Sequence, residues 1–110
     1  MAVYNTEDFL AEAIDSVINQ SIGFRDVELI LVDDGSRDRS GEICLEYKNR
    51  FPDNVVYIHQ ENQGQAHARN NGFEHVRAKY VNFLDSDDFI TEYAFNQALD
   101  LFKKYDEITF

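Results

Sequence analysis

At 110 residues, 44% of them hydrophobic, the chain can bury one modest core. Its formal net charge of -11 argues against a nucleic-acid polyanion or an anionic membrane surface as direct partner, while a nucleotide ligand stays open because a bound metal can invert the local sign. The single Cys44 leaves no internal disulfide and no cysteine-built metal site, which fits a reducing compartment; no signal peptide and no apolar run long enough to insert in a bilayer is apparent.

Met1 to Asn5 reads as the tail of something, with Ala2-Val3-Tyr4 too short to stand as a strand of its own. Thr6 is the expected N-cap of a helix whose first turn carries Glu7 and Asp8, where the helix dipole favours acids. Phe9, Leu10, Ala13, Ile14, Val17 and Ile18 recur at helical spacing, and this helix should end near Gly23. Val27 to Asp33 has the composition of a buried strand, broken by Asp33-Asp34-Gly35-Ser36. Ser40 can cap a helix to about Arg50, with Ile43, Cys44 and Tyr47 inward.

A turn at Pro52 and Asn54 leads into a strand from Val55 to His59. The loop Glu61 to Gln65 precedes a helix whose apolar face includes Ala66, Phe73 and Val76. From Tyr80 a short apolar run reads as a strand that stops at Asp85, Asp87 and Asp88. Ala94, Phe95, Ala98, Leu99 and Phe102 describe one more helix, and Glu107 to Phe110 a further strand. Strands alternating with helices imply an α/β fold, a mainly parallel sheet with helices on both faces. The expectation is one domain, residues 1–110, incomplete at both ends.

Loops that follow parallel strands gather at one sheet edge, where open α/β sheets bind ligands. Tyr4-Asn5, Asp33 to Ser36, Asn62 to Arg69 and Asp85 to Asp88 should meet there. Together they offer an aromatic ring, acids able to accept hydrogen bonds from a base or ribose, a close carboxylate set and one cation. Three acids so close repel one another unless something positive sits between them, and a hard divalent cation meets that need. This inventory suits a nucleoside diphosphate. No Gly-x-Gly-x-x-Gly and no Gly-Lys-Ser/Thr occurs, which argues against a dinucleotide fingerprint and a P-loop. His59, His67 and His75 lack metal-ligand spacing with the acids. Asp33 can equally be a strand-end acid satisfied by the amides of Gly35 and Ser36, Arg69 a structural ion pair and Tyr4 a core residue.

In order along the chain stand Val3-Tyr4-Asn5, Ser16 to Ser21, Leu29 to Ser40 (LILVDDGSRDRS), Asn62-Gln63-Gly64, Ala68 to Gly72 and Tyr80 to Asp88 (YVNFLDSDD). In these motifs the chain resembles the N-terminal half of a family 2 glycosyltransferase, a nucleotide-sugar transferase of the GT-A fold. The resemblance implies that Tyr4 borders the base, that Asp34 accepts a hydrogen bond from a uracil-type ring, with Asp33 and Asp85 in the same nucleotide site, and that Arg69 helps close it. It makes Asp85 and Asp87 the D-x-D pair that holds Mn2+ or Mg2+ on the diphosphate, with Asp88 beside them as a further ligand candidate. It implies a UDP-sugar donor, a saccharide or lipid-linked acceptor, an inverting transfer and a general base beyond Phe110. It also places the parent enzyme in a bacterial-type cytoplasm, at the inner membrane face. The apolar run and proline usual in the family's first strand are absent, so that strand is expected to be missing. The edge it leaves could promote self-association. This fragment would then bind donor without completing transfer.

Two other readings stand beside this one. A phosphoacceptor receiver domain shares the Ile30 to Asp34 pattern, with Asp85 as the phosphorylated residue, but leaves Tyr4 to Phe24 unexplained. A non-catalytic nucleotide-binding module would keep the fold alone.

Overall fold

The computed structural model describes residues 1–104; the strand expected at Glu107 to Phe110 lies outside them. Three parallel strands, β1 (Ala2–Val3), β2 (Leu29–Asp34) and β3 (Val55–Gln60), form one sheet in the order β1-β2-β3. Helices α1 (Leu10–Ile18) and α2 (Ser40–Arg50) make the two crossovers, and α3 (Gln65–Phe73) and α4 (Ala94–Lys104) follow. The α/β reading and the parallel sheet are as expected.

Side chains alternate across a strand, and β2 shows why this sheet needs helices on both faces. Leu29 and Leu31 enter a core with Val3, Leu10, Ile14, Val17, Cys44, Tyr47 and Val55. On the other face Ile30 and Val32 meet α3 at Gly72, where a Cβ would stand 3.1 Å from Val32 Cγ2. The small face of α3, Ala68 with Gly72, therefore makes this contact. Ala66 and Phe73, expected inward, are exposed, and Val76 lies past the helix end. The correction has a steric cause: a bulky residue could not approach β2 so closely.

Polar contacts lock the crossovers. The Tyr47 hydroxyl donates to Asp15 Oδ1 at 2.6 Å, joining α2 to α1. Asn54 Nδ2 donates to the carbonyls of Phe24, Arg25 and Val27, which fixes the approach to β2. Cys44 is fully buried; burial, with Asp33 nearby, pushes its thiol up to about 12, so it behaves as a small apolar residue.

Ala2-Val3, too short to stand as a strand of its own, pairs with β2 as the two-residue β1, extended by the Val32 amide donating to the Met1 carbonyl. Two further expectations change. Thr6 does not cap α1 with its side chain. Its carbonyl accepts the amides of Phe9 and Leu10, and its hydroxyl donates to Ser86. The strand expected from Tyr80 does not form: Val81, Phe83 and Phe89 are exposed, and among the described residues the segment joins no sheet. Its composition suits a buried strand, yet a β1 of two residues offers little backbone for a ladder. Met1 and Ala2 instead face Tyr80 to Phe83 across a shared cavity.

Replacing Leu31, which is fully buried, by Ala should cost about 2–5 kcal/mol. Urea unfolding followed by circular dichroism would measure this. A loss below about 1 kcal/mol would show that the central strand is not the packing centre.

Candidate functional site

Alternation along β2 separates its two terminal acids. Asp33 points toward α2, where Ser36 N donates to its Oδ1 and the Tyr57 hydroxyl to its Oδ2, and where His59 Nδ1 lies 3.5 Å from Oδ2. Gly41 packs closely beside it, since a Cβ there would stand 3.0 Å from the same oxygen. Asp34 turns the other way, toward the loop that follows β3. Only Asp34 lines the cavity at the sheet's carboxyl edge, and Asp33 is occupied as a strand-end acceptor.

Asp34 is 3% exposed and accepts three hydrogen bonds. Gln60 Nε2 and the Gln63 amide donate to Oδ1, each at 2.8 Å, and the Gly64 amide donates to Oδ2 at 3.0 Å. Burial pushes its pKa up, but the amides of Gln63 and Gly64, the Gln60 side chain and nearby His67 outweigh this and hold it below its ordinary value. Each carboxylate oxygen can take about two donors, so Oδ2 keeps capacity for a ligand. Two glycines make the arrangement attainable. Gly35 has φ +71° and would clash with the Asn62 amide at 2.9 Å if it bore a Cβ; Gly64 has φ +100°.

The cavity measures about 450 Å³ and is lined by Tyr4, Thr6, Asp34, Asn62, Gln65, Asp85, Asp87 and their neighbours. This is within the size range of small-molecule sites. Tyr4 stands at the end of β1 with its ring half exposed. Arg69 is outside the lining but donates from Nη2 to Asp85 Oδ1 at 2.8 Å, while Gln65 Nε2 approaches the same oxygen at 3.3 Å. Asp88 is outside the lining, its Oδ1 accepting the Phe89 amide. Among the described residues no three His, Cys, Asp or Glu side chains come together as a metal cluster. Two carboxylates facing a roomy cavity nonetheless suit a Mg2+-type ion, which is commonly held by one or two carboxylates together with substrate phosphates.

The acidic turn is positioned by residues that sequence reasoning quoted without assigning a role. Gln20, 3% exposed, donates from Nε2 to the carbonyls of Ser16 and Thr91 and accepts the Phe95 amide at Oε1. Ser16 Oγ accepts the Ile90 amide, and the Ser21 amide donates to the Glu92 carbonyl. From the other side Thr6 Oγ1 holds buried Ser86 Oγ at 3.0 Å. The polar residues at α1's end were the available signal, since an apolar stripe does not explain them.

The loops after β1 and β2 are joined in the same way. Ser36 Oγ accepts the Asn5 amide, Asn5 Oδ1 accepts the Arg37 amide, and Ser40 Oγ accepts the Thr6 amide. Asp38 takes the cap expected of Ser40: its Oδ1 accepts the Ser40 amide and its Oδ2 the Glu7 amide. Asn5 adopts φ 48°, a left-handed conformation that asparagine tolerates better than most residues.

The parallel α/β sheet with an acidic cavity at its strand ends matches solved glycosyltransferase structures of the GT-A fold. The whole chain, residues 1–110, matches the model of glycosyl transferase family 2, and the chain belongs to that family. It is 45% identical over 105 residues to the minor teichoic acid biosynthesis protein GgaB of Bacillus subtilis, covering 96% of this chain and 12% of that protein. It is 47% identical over 103 residues to GgaA of the same organism, covering 91% and 23%. The crystal structure of S. aureus TarS 1-349 in complex with UDP-GlcNAc superposes with a TM-score of 0.86 at 26% identity, covering 96% of this chain and 30% of that one. The chain thus spans under a third of each of these three proteins. The match includes residues 4–24, which the receiver reading left unexplained. No helix among the described residues is long and apolar enough to cross a membrane.

Because Asp34's pKa is lowered on folding, its contribution to stability is present above the unfolded value of ~3.9 and is lost as pH falls through the folded value. The stability difference between wild type and Asp34→Asn should therefore be largest above about pH 5 and shrink below ~3.9. Urea midpoints measured across pH test this; a difference that grows on acidification would contradict it.

Proposed function

We propose that this chain is the donor-binding part of an enzyme that transfers a sugar from a nucleoside-diphosphate donor, with UDP as the nucleotide, to an acceptor hydroxyl. The observation that carries the reading is the single cavity shared by Tyr4, Asp34, Asp85 and Asp87. UDP-GlcNAc in the TarS complex supports this donor class, and relatives named for minor teichoic acid biosynthesis and as a poly(ribitol-phosphate) beta-glucosyltransferase support sugar transfer. A saccharide or lipid-linked molecule is the acceptor class, and work at the cytoplasmic face of the membrane fits such an acceptor.

In this reading Tyr4 borders the base, and the free capacity of Asp34 Oδ2 accepts a ring N–H. The two amides on Asp34 keep it ionised and fixed, so it recognises a donor group at little reorganisation cost. Asp85 and Asp87 would hold Mn2+ or Mg2+ against the diphosphate, with Asp88 positioned by its own backbone contact. Such an ion supplies Lewis-acid stabilisation of the leaving diphosphate. Arg69 stands beside Asp85 as the cation available to the phosphates. An inverting displacement also needs a base that takes the acceptor proton, which we assign to sequence beyond residue 110. Donor binding without turnover is then the behaviour expected of these 110 residues.

Calorimetric titration with UDP, with and without Mn2+, tests the reading on wild type and Asp87→Asn. We expect Mn2+-dependent binding in the wild type, weakened about tenfold or more by the substitution. Equal UDP binding by both proteins would remove Asp87 from the site. Absence of UDP binding in a folded sample would defeat the donor-site assignment.

A further inference from the structure

The ion pair between Arg69 and Asp85 places a positive charge on an oxygen that the donor-site reading gives to a divalent cation. Gln65 and Arg69, four residues apart on α3, share one helix face and both approach Asp85 Oδ1, at 3.3 and 2.8 Å. Around the cavity stand Asp34, Asp85 and Asp87. Among the described residues the one salt bridge to any of them is this pair. We propose that Arg69 is a resident counter-ion that competes with the cation for Asp85 and exchanges onto the donor's diphosphate when cation and nucleotide bind together. This inference rests on the donor-site reading above.

Three physical points support the exchange. First, the pair is easily parted: its side chains are 44% and 51% exposed, and ion pairs of that kind are weak and solvent-screened. Asp34 differs, since its donors include two backbone amides fixed by the fold. Second, Arg69 reaches Asp85 through a long side chain, so it can part from Asp85 by moving while α3 stays in place. Third, the planar fork that meets one carboxylate oxygen here is suited to bidentate contact with phosphate oxygens. The move also limits charge build-up. Two carboxylates offset a divalent cation, and Arg69 then offsets part of the diphosphate's negative charge. Arg69 thereby limits repulsion among the acids before donor arrives and lowers the site's affinity for cation alone.

The test is a Mn2+ titration followed by the paramagnetic resonance signal of the free ion, on the 110-residue chain and on Arg69→Gln, Arg69→Lys and Asp85→Asn, followed by UDP titration at saturating Mn2+. Arg69→Gln should bind Mn2+ alone about two- to fivefold tighter, the range an exposed ion pair spans. It should bind UDP with Mn2+ about tenfold more weakly, as for a lost charge-assisted hydrogen bond. Arg69→Lys should keep the wild-type Mn2+ affinity, and the gain from Arg69→Gln should vanish in an Asp85→Asn background. Mn2+ affinity that is unchanged, weaker or undetectable in both proteins, while UDP still binds with Mn2+, would overturn the competition and leave the donor site standing. Tighter Mn2+ with unchanged UDP affinity would overturn the exchange. Folded wild type that binds neither Mn2+ nor UDP would overturn the donor-site reading and this inference with it.

Discussion

The carboxylate of Asp34 is the contact on which the cavity depends. It ends β2, yet its donors come from the last residue of β3, from the following loop and from the residue that opens α3. A buried charge is costly unless hydrogen-bonded, so the loop must present the Gln63 and Gly64 amides. That demand explains the positive φ of Gly64 and sets where α3 begins. It consequently sets where Gln65 and Arg69 project. Gln60 extends the link, because its Oε1 accepts from Asn71 Nδ2 further along α3. One carboxylate therefore sets the spacing between the sheet edge and the helix that carries the cation.

The acidic turn is held by a different principle. No strand of the described sheet carries it. Side chains hold the segments on either side: Thr6 on Ser86, Ser16 on the Ile90 amide, and Gln20 on Thr91 and Phe95. Such anchors fix the turn at a few points and leave the carboxylates of Asp85 and Asp87 exposed. The arrangement suits groups that must meet a charged ligand, because exposed acids do not bear the desolvation cost that Asp34 offsets with its three donors.

Much of this was legible in the sequence, and the failures have identifiable causes. The apolar runs of β2 and β3 and the helical spacing of Leu10, Ala13, Ile14 and Val17 mark elements whose burial is decided locally. The run from Tyr80 has the same composition, but a strand also needs a neighbour, and composition carries no information about the neighbour. Ala66 and Phe73 fit an apolar face by spacing, while the face actually used was set by clearance at Gly72. Among the candidate site residues, the meeting of Tyr4 and Asp34 followed from the rule that loops after parallel strands share an edge, whereas Asp85 and Asp87 line the same cavity with no described strand before them, held there by side-chain anchors. The separation of Asp33 from Asp34 could have been read from the two-residue period of a strand. The anchoring by Gln20 could not, because its partners lie 71 and 75 residues away.

The acids of the cavity form a series in how fully they are satisfied. Asp34 is buried with three donors, Asp85 is half exposed with one guanidinium and one amide, and Asp87 has no ion-pair partner among the described residues. A carboxylate already surrounded by fixed donors can only add a contact, so that end of the cavity favours a neutral group that brings an N–H. A carboxylate held by one exposed side chain can exchange it, and a bare one gains most from new positive charge. The cavity is thus polarised from a fixed, recognition-ready end to an exchangeable, cation-seeking end. A planar base joined to a diphosphate has the matching polarity, with neutral hydrogen-bonding groups at one end and charge that needs a cation at the other. The order in which the fold satisfies its own acids therefore supports the proposed placing of a nucleotide in the cavity, independent of any single residue's role.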